Sequence, residues 1–200
     1  MPAPIAFYFE FASPYGYAAS AKIDALAARH GRTTLWRPFL LGAGFKLTGG
    51  KPATQMHPMR ATYAVRDIVR SCAFHGVPYK RGTVPINGLN AVRAFYWIDA
   101  KDPAKAKAFA QAVYRACCGE ARDISTPEAV ADIGAGLGLD RAAMLAALQD
   151  PAVKDLARKA TDDAVARGVF GSPYFIVDDE PFWGVDRLDQ LERWIASGPF

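Results

Sequence analysis

The chain has 200 residues, 51% hydrophobic and 22% charged, enough apolar mass for a substantial core in one domain or in one domain carrying an insertion. Its 24 Lys and Arg against 20 Asp and Glu leave a formal charge of +4, a mild bias toward acidic ligands, but with no basic run that would suit nucleic acid. No run of eighteen apolar residues occurs, and the N-terminal stretch lacks a positive start and meets Glu10 before a signal-length apolar segment develops, so the expectation is a cytoplasmic protein that does not engage a membrane.

In chain order, Ile5 to Phe11 is apolar apart from Glu10 and rich in aromatics, the pattern of a buried strand. A sharp turn follows, and Ser13-Pro14 then reads as a helix start, with the serine at the N-cap and the proline at the first helical position. Ala18, Ala19, Ile23, Leu26 and Ala27 recur at helical spacing, which predicts one helix from Pro14 to about His30, closed by Gly31. Thr33 to Pro38 reads as a second strand, and a strand, a helix and a strand within so short a span predict a parallel βαβ unit.

Leu40 to Thr54 contains Gly42, Gly44, Gly49, Gly50 and Pro52 and predicts a long surface loop of the kind that often carries function. Helical patterns then cover His57 to about His75, Gly88 to Ile98, Pro103 to Cys118, Pro127 to Gly136 and Arg141 to Leu148, with Asp102, Thr126 and Asp140 as N-caps. A further helix, Val153 to Arg167, takes Leu156, Ala160, Ala164 and Val165 as its apolar side. Gly168 to Pro173 forms a loop into an apolar strand, Asp178 to Pro181 a hairpin turn into Phe182-Trp183, and Arg187 to Ala196 a last helix. The simplest assembly is an α/β domain from residues 1–42 plus 151–200, interrupted by a helical domain at 43–150.

The turn at Ser13 points a hydroxyl and the free N–H groups of a helix start at whatever lies above it, a setting that favours an anion. The three cysteines, Cys72, Cys117 and Cys118, form no Cys-x-x-Cys, fit a reducing compartment, and have no histidine within four residues, so a zinc site is not expected.

Five pieces of sequence, in this order along the chain, resemble one group of proteins. They are Phe9-Glu-Phe-Ala-Ser-Pro-Tyr15, Arg37-Pro-Phe-Leu-Leu-Gly42 with Lys46, Pro85-Ile-Asn87 with Arg93, Gly168-Val-Phe-Gly-Ser-Pro173, and Phe182-Trp-Gly-Val-Asp-Arg187. Together they are similar to the DsbA-like plan, an α/β thioredoxin-like fold with a large inserted α-helical domain. Within that plan they are most similar to the 2-hydroxychromene-2-carboxylate isomerases and the kappa-class glutathione transferases.

The resemblance implies a glutathione cofactor, a small aromatic carboxylate substrate and a homodimer. Ser13-Pro-Tyr-Gly16 stands where a thiol oxidoreductase of this fold has Cys-x-x-Cys, so dithiol exchange is excluded here and any thiol must be brought in. Ser13, beside Pro14, is then the catalytic residue that orients and stabilises the glutathione thiolate; with no histidine nearby in sequence to activate it, it is not itself the nucleophile. The family implies a cis peptide at Ser172-Pro173, with the Ser172 backbone pairing to the cysteine of glutathione. It also implies that the turn at Val185, Asp186 and Arg187 receives the γ-glutamyl end, with Asp186 on its amine. Lys51 and Arg60 fall in the segment that contributes to glutathione binding in kappa enzymes, although Gly50 stands where many of those have asparagine. Arg60, Arg66 and Arg70 read equally well as a solvated helix face.

Lys46 and Asn87, with Arg93, are the positions implied for the substrate carboxylate. The implied activity is glutathione-dependent cis-trans isomerisation between 2-hydroxychromene-2-carboxylate and trans-o-hydroxybenzylidenepyruvate, in aromatic hydrocarbon degradation. Two alternatives stand beside it: a kappa-type transferase or peroxidase, and a non-catalytic DsbA-like binding module.

Overall fold

The computed structural model describes residues 2–51, 57–82 and 86–200. Its strands are β1 (Ile5–Phe9), β2 (Thr34–Pro38), β3 (Tyr174–Val177) and β4 (Glu180–Trp183), in one sheet ordered β2-β1-β3-β4. β1 pairs parallel with β2, as the crossover rule requires, and antiparallel with β3, which turns back into β4. That hairpin turns at Asp178 and Asp179, both with positive φ, the twist that tight hairpins favour.

All five residues of β1 are buried because both faces of the sheet are covered. Ile5, Phe7 and Phe9 face the larger core, while Ala6 and Tyr8 join a smaller cluster with Phe39, Ala164 and Val169. Phe7 stacks on Phe9 and Phe175, and Phe9 meets Phe95 and Tyr114 from the helical section, so one run of aromatic rings crosses from the sheet into the helices.

The helices are α1 (Pro14–Ser20), α2 (Ile23–Arg29), α3 (Leu41–Thr48), α4 (Pro58–Phe74), α5 (Leu89–Asp99), α6 (Pro103–Tyr114), α7 (Pro127–Ala135), α8 (Arg141–Gln149), α9 (Pro151–Ala166) and α10 (Leu188–Ser197). The predicted N-caps are in place: Asp102, Thr126 and Asp140 each accept from a backbone N–H in the first turn. Asp150 caps α9 in the same way.

The structure departs from the expectations in three places. The helix predicted from Pro14 to His30 is two helices, α1 and α2, because the chain tightens at Ala21-Lys22, where Lys22 N–H bonds to the Ala19 carbonyl. The glycine-rich stretch after Leu40 is not all loop. Residues 41–48 form α3, closed by Gly49 at φ 71°, and residues 52–54 of the predicted loop lie outside the described residues. Packing overrides propensity there, since Gly44 lets α3 approach the Val169–Phe170 backbone, where a larger side chain would crowd it. Finally, α9 buries Val153, Ala157, Thr161 and Ala164, while Leu156 is exposed.

Candidate active site

β1 ends at Phe9, and residues 10–13 turn the chain into α1, with Ser13 N–H donating to the Glu10 carbonyl at 2.9 Å. Ser13 is extended, and its Oγ accepts from Gly16 N–H at 3.1 Å, the cap predicted for it. The same hydroxyl donates to the Ser172 carbonyl at 3.0 Å, while Ser172 Oγ accepts from Glu10 N–H at 2.9 Å. Two turns about 160 residues apart are therefore laced together at the start of α1, next to the cis Ser172–Pro173 bond.

Position 16 is closed to any side chain. A Cβ there would strike the Tyr114 hydroxyl and Ser172 Oγ, so glycine is required by space. The second cysteine of a dithiol motif would not fit without displacing both groups. The cysteines of this chain lie elsewhere and are buried; Cys72, behind the Pro14 carbonyl, has its thiol pushed up to about 11 by burial, which leaves it unreactive at neutral pH.

Above the laced turns lies a cavity of about 670 Å³, a volume within the range of small-molecule sites. Tyr15, Ser172 and Pro173 form its floor, Trp183, Gly184, Val185, Asp186, Leu188 and Asp189 one wall, and α4 the other, through Tyr63, Asp67, Arg70, Ser71, Phe74 and His75. Tyr15 OH donates to Asp67 at 2.7 Å, and Asp67 accepts from Arg70 at 2.9 Å, with the Arg70 guanidinium over the Tyr63 ring. The hydrogen bonds from Arg70 and Tyr15 hold the Asp67 carboxyl below its ordinary range. Burial, and then the proximity of Lys22, lower the His75 imidazole from its ordinary range, with Asp189 pulling the other way.

Of the residues singled out by sequence, Ser172, Pro173, Val185 and Asp186 line this cavity, and Ser13 is hydrogen-bonded to its floor. Val185 is buried, so its side chain offers only apolar surface; Asp186 is exposed. Arg187 pairs with Asp186 at 3.4 Å but lines a separate hollow with Trp194 and Phe200. Pro14 occupies the first position of α1.

Lys51 and Arg60 are exposed and do not line the cavity, nor do Lys46, Asn87 or Arg93. Lys46 stands exposed in the last turn of α3. Asn87 Oδ1 accepts from Leu89 N–H at the start of α5, and Arg93 keeps an enclosed Nε with no partner among the described residues. Pro85, part of one resembling piece, lies outside the described residues.

Sequence reasoning missed Tyr15, Asp67 and Glu10, and left Arg70 on a solvated face. The spacing of Tyr63, Asp67 and Arg70 puts them on one helix face, a signal that was legible. Glu10 carried no such signal. Its Oε2 accepts from Leu41 N–H at 3.1 Å, its Oε1 is enclosed without a partner among the described residues, and its carbonyl accepts from Tyr114 OH at 3.0 Å. Burial raises its carboxyl to about 7, with the N–H groups of Leu41, Ala12 and Phe11 pulling the other way.

A family model for the DSBA-like thioredoxin domain matches residues 4–196. The chain is 32% identical over 199 residues to a 2-hydroxychromene-2-carboxylate isomerase of Sphingobium xenophagum, covering 98% of this chain and 100% of that one. It is 23% identical over 209 residues to glutathione S-transferase kappa 2 of Caenorhabditis elegans, covering 98% and 92%. Among solved structures, a 2-hydroxychromene-2-carboxylate isomerase superposes with a TM-score of 0.87 at 28% identity, covering 96% of this chain and 94% of that one. With its fold, its cysteine-free turn and these likenesses taken together, the chain belongs to the DSBA-like thioredoxin family and, within it, to the 2-hydroxychromene-2-carboxylate isomerases.

Proposed function

We propose that the protein isomerises 2-hydroxychromene-2-carboxylate, or a near relative, to the trans-alkenyl keto acid with glutathione as cofactor. The observation that carries this reading is the Ser13 hydroxyl, held at a helix start against the Ser172 carbonyl in a thiol-handling fold whose own thiols are buried elsewhere.

The donor set suits glutathione. Asp186 and Asp189 on one wall match its ammonium, Arg70 on the other matches a carboxylate, and Trp183 and Pro173 give an apolar surface between them. Bound there, glutathione supplies a sulfur nucleophile that adds reversibly to a conjugated double bond and so makes it rotatable.

The chain's own groups hold and polarise. In the free site the Ser13 proton is engaged by the Ser172 carbonyl. A ligand N–H that takes that carbonyl, as an added strand does, releases the Ser13 hydroxyl to turn toward the sulfur. One O–H···O bond is thereby exchanged for a backbone N–H···O bond and an O–H···S bond. The serine hydroxyl and the helix start then favour thiolate over thiol, a shift of one pKa unit corresponding to about 1.4 kcal/mol. Lys46, Asn87 and Arg93, which lie outside the cavity lining, are the groups we assign to the substrate carboxylate, and Lys51, Arg60 and Arg187, also outside it, are those we assign to glutathione as further positive charge.

Absorbance measurement of the isomerisation with and without glutathione tests the reading. The expected result is a rate that depends on glutathione and falls about 10- to 100-fold in Ser13→Ala. Equal rates without glutathione would overturn it. The likeness to a kappa transferase supports a second reading, conjugation of glutathione to electrophiles, which predicts turnover of a chloroaromatic model substrate without isomerisation.

A further inference from the structure

Glu10 carries three features that a structural carboxyl does not need. Its Oε1 is shut away from solvent with no hydrogen-bond partner among the described residues, the kind of buried polar atom that proteins avoid. Gly88, at φ −78°, is in a conformation any residue adopts, yet a Cβ there would run into that Oε1, so the glycine makes room for the carboxyl. And a neutral amide would serve Leu41 N–H equally well without the cost of enclosing an ionisable group.

The surroundings divide between main chain and side chain. The Glu10 backbone bonds to Ser172 Oγ through its N–H and to Ser13 N–H and Tyr114 OH through its carbonyl. The carboxyl reaches the other way, to Leu41 at the first turn of α3, beside Gly88 at the start of α5. α3 carries Lys46 and α5 carries Arg93, with Asn87 just before it.

We propose that Glu10 is a positioning residue that holds the start of α3, the helix that carries Lys46, and the neighbouring start of α5 in place against the turn at Ser13. This rests on the isomerase reading above. The groups turned toward Glu10 are Tyr114 from α6, Ser172 from the loop before β3, and the N–H groups of Phe11, Ala12 and Leu41. Among the described residues no Lys, Arg or His lies within ion-pair distance of it, so its proton uptake is not masked by a charged partner.

A substitution at position 10 leaves the main-chain bonds of residue 10 to Ser172, Ser13 and Tyr114 in place and removes the carboxyl's bond to Leu41 together with its local interaction with the N–H groups of Phe11 and Ala12. Glu10→Ala is therefore expected to raise the KM for the aromatic carboxylate about tenfold while moving the KM for glutathione less than about twofold. Glu10→Gln, which keeps an acceptor for Leu41 N–H, is expected to recover the substrate KM to within about threefold and to abolish its dependence on pH around 7.

A readout free of turnover is the Leu41 amide resonance. It should titrate with a midpoint near 7 in the wild type and stay flat in Glu10→Gln. A flat Leu41 resonance in the wild type, or Glu10→Ala shifting both KM values alike, overturns the proposal. Absence of isomerisation in the wild type overturns the reading it rests on, and the titration distinguishes the two failures.

Discussion

The proton of Ser13 and the proton of Glu10 decide what the turn after β1 does. Ser13 makes two bonds with one hydroxyl: its lone pair caps α1 and its hydrogen reaches the Ser172 carbonyl, so the cap and the link to Ser172 do not compete. Glu10 trades stability for placement. The folded protein holds its proton at about 7, against 4.5 for the free group, so folding is favoured by protonation. That contribution is complete below about pH 4.5 and is lost as pH rises through about 7. Glu10→Gln should therefore unfold at higher denaturant concentration than the wild type at pH 8, by up to about 3 kcal/mol, with the gap closing toward pH 5. A constant difference at both pH values would show that the carboxyl does not titrate with folding.

At the scale of elements, α4 forms one wall of the cavity, tied to α1 through the chain from Tyr15 to Asp67 to Arg70. Arg70 is largely exposed, so its ion pair with Asp67 is worth little by itself; the half-buried Tyr15 hydroxyl carries more of the restraint. Removing the acceptor in Asp67→Ala should loosen α4 and weaken glutathione binding about 3- to 10-fold, with a loss of roughly 1 kcal/mol in stability, measurable by calorimetry and by chemical unfolding. The face of α4 toward this cavity was readable in the spacing of Tyr63, Asp67 and Arg70, but its partner Tyr15 was not, because 52 residues separate Tyr15 from Asp67. α3 shows the opposite case: its glycines argued for a loop, and only the tertiary structure shows one of them, Gly44, packed against the Val169–Phe170 backbone.

For the molecule as a whole, the sheet and the helical section share one core. Phe95 of α5 is fully buried and meets Phe9 of β1 at 6.2 Å between ring centroids. Phe95→Ala should cost about 3 to 5 kcal/mol and do so in a single transition seen equally by far-ultraviolet and aromatic signals, because Phe9 and Phe95 lie in the one large cluster that joins the sheet to the helical section. Two separated transitions would indicate that the helical section unfolds on its own.

The residue pattern alone determined the strands, most helices, their caps and the missing dithiol, since these follow from local periodicity, cap chemistry and the identity of residues 13 and 16. Ser13 was legible for the same reason, and the cis bond before Pro173 through resemblance. Only the tertiary structure decided that Ser13 donates to Ser172, that Gly16 faces Tyr114, and that Glu10 sits enclosed opposite Gly88. Each of those is a contact between segments distant in sequence, fixed by how α5, α6 and the loop before β3 pack around the end of β1, and no local pattern encodes such a meeting.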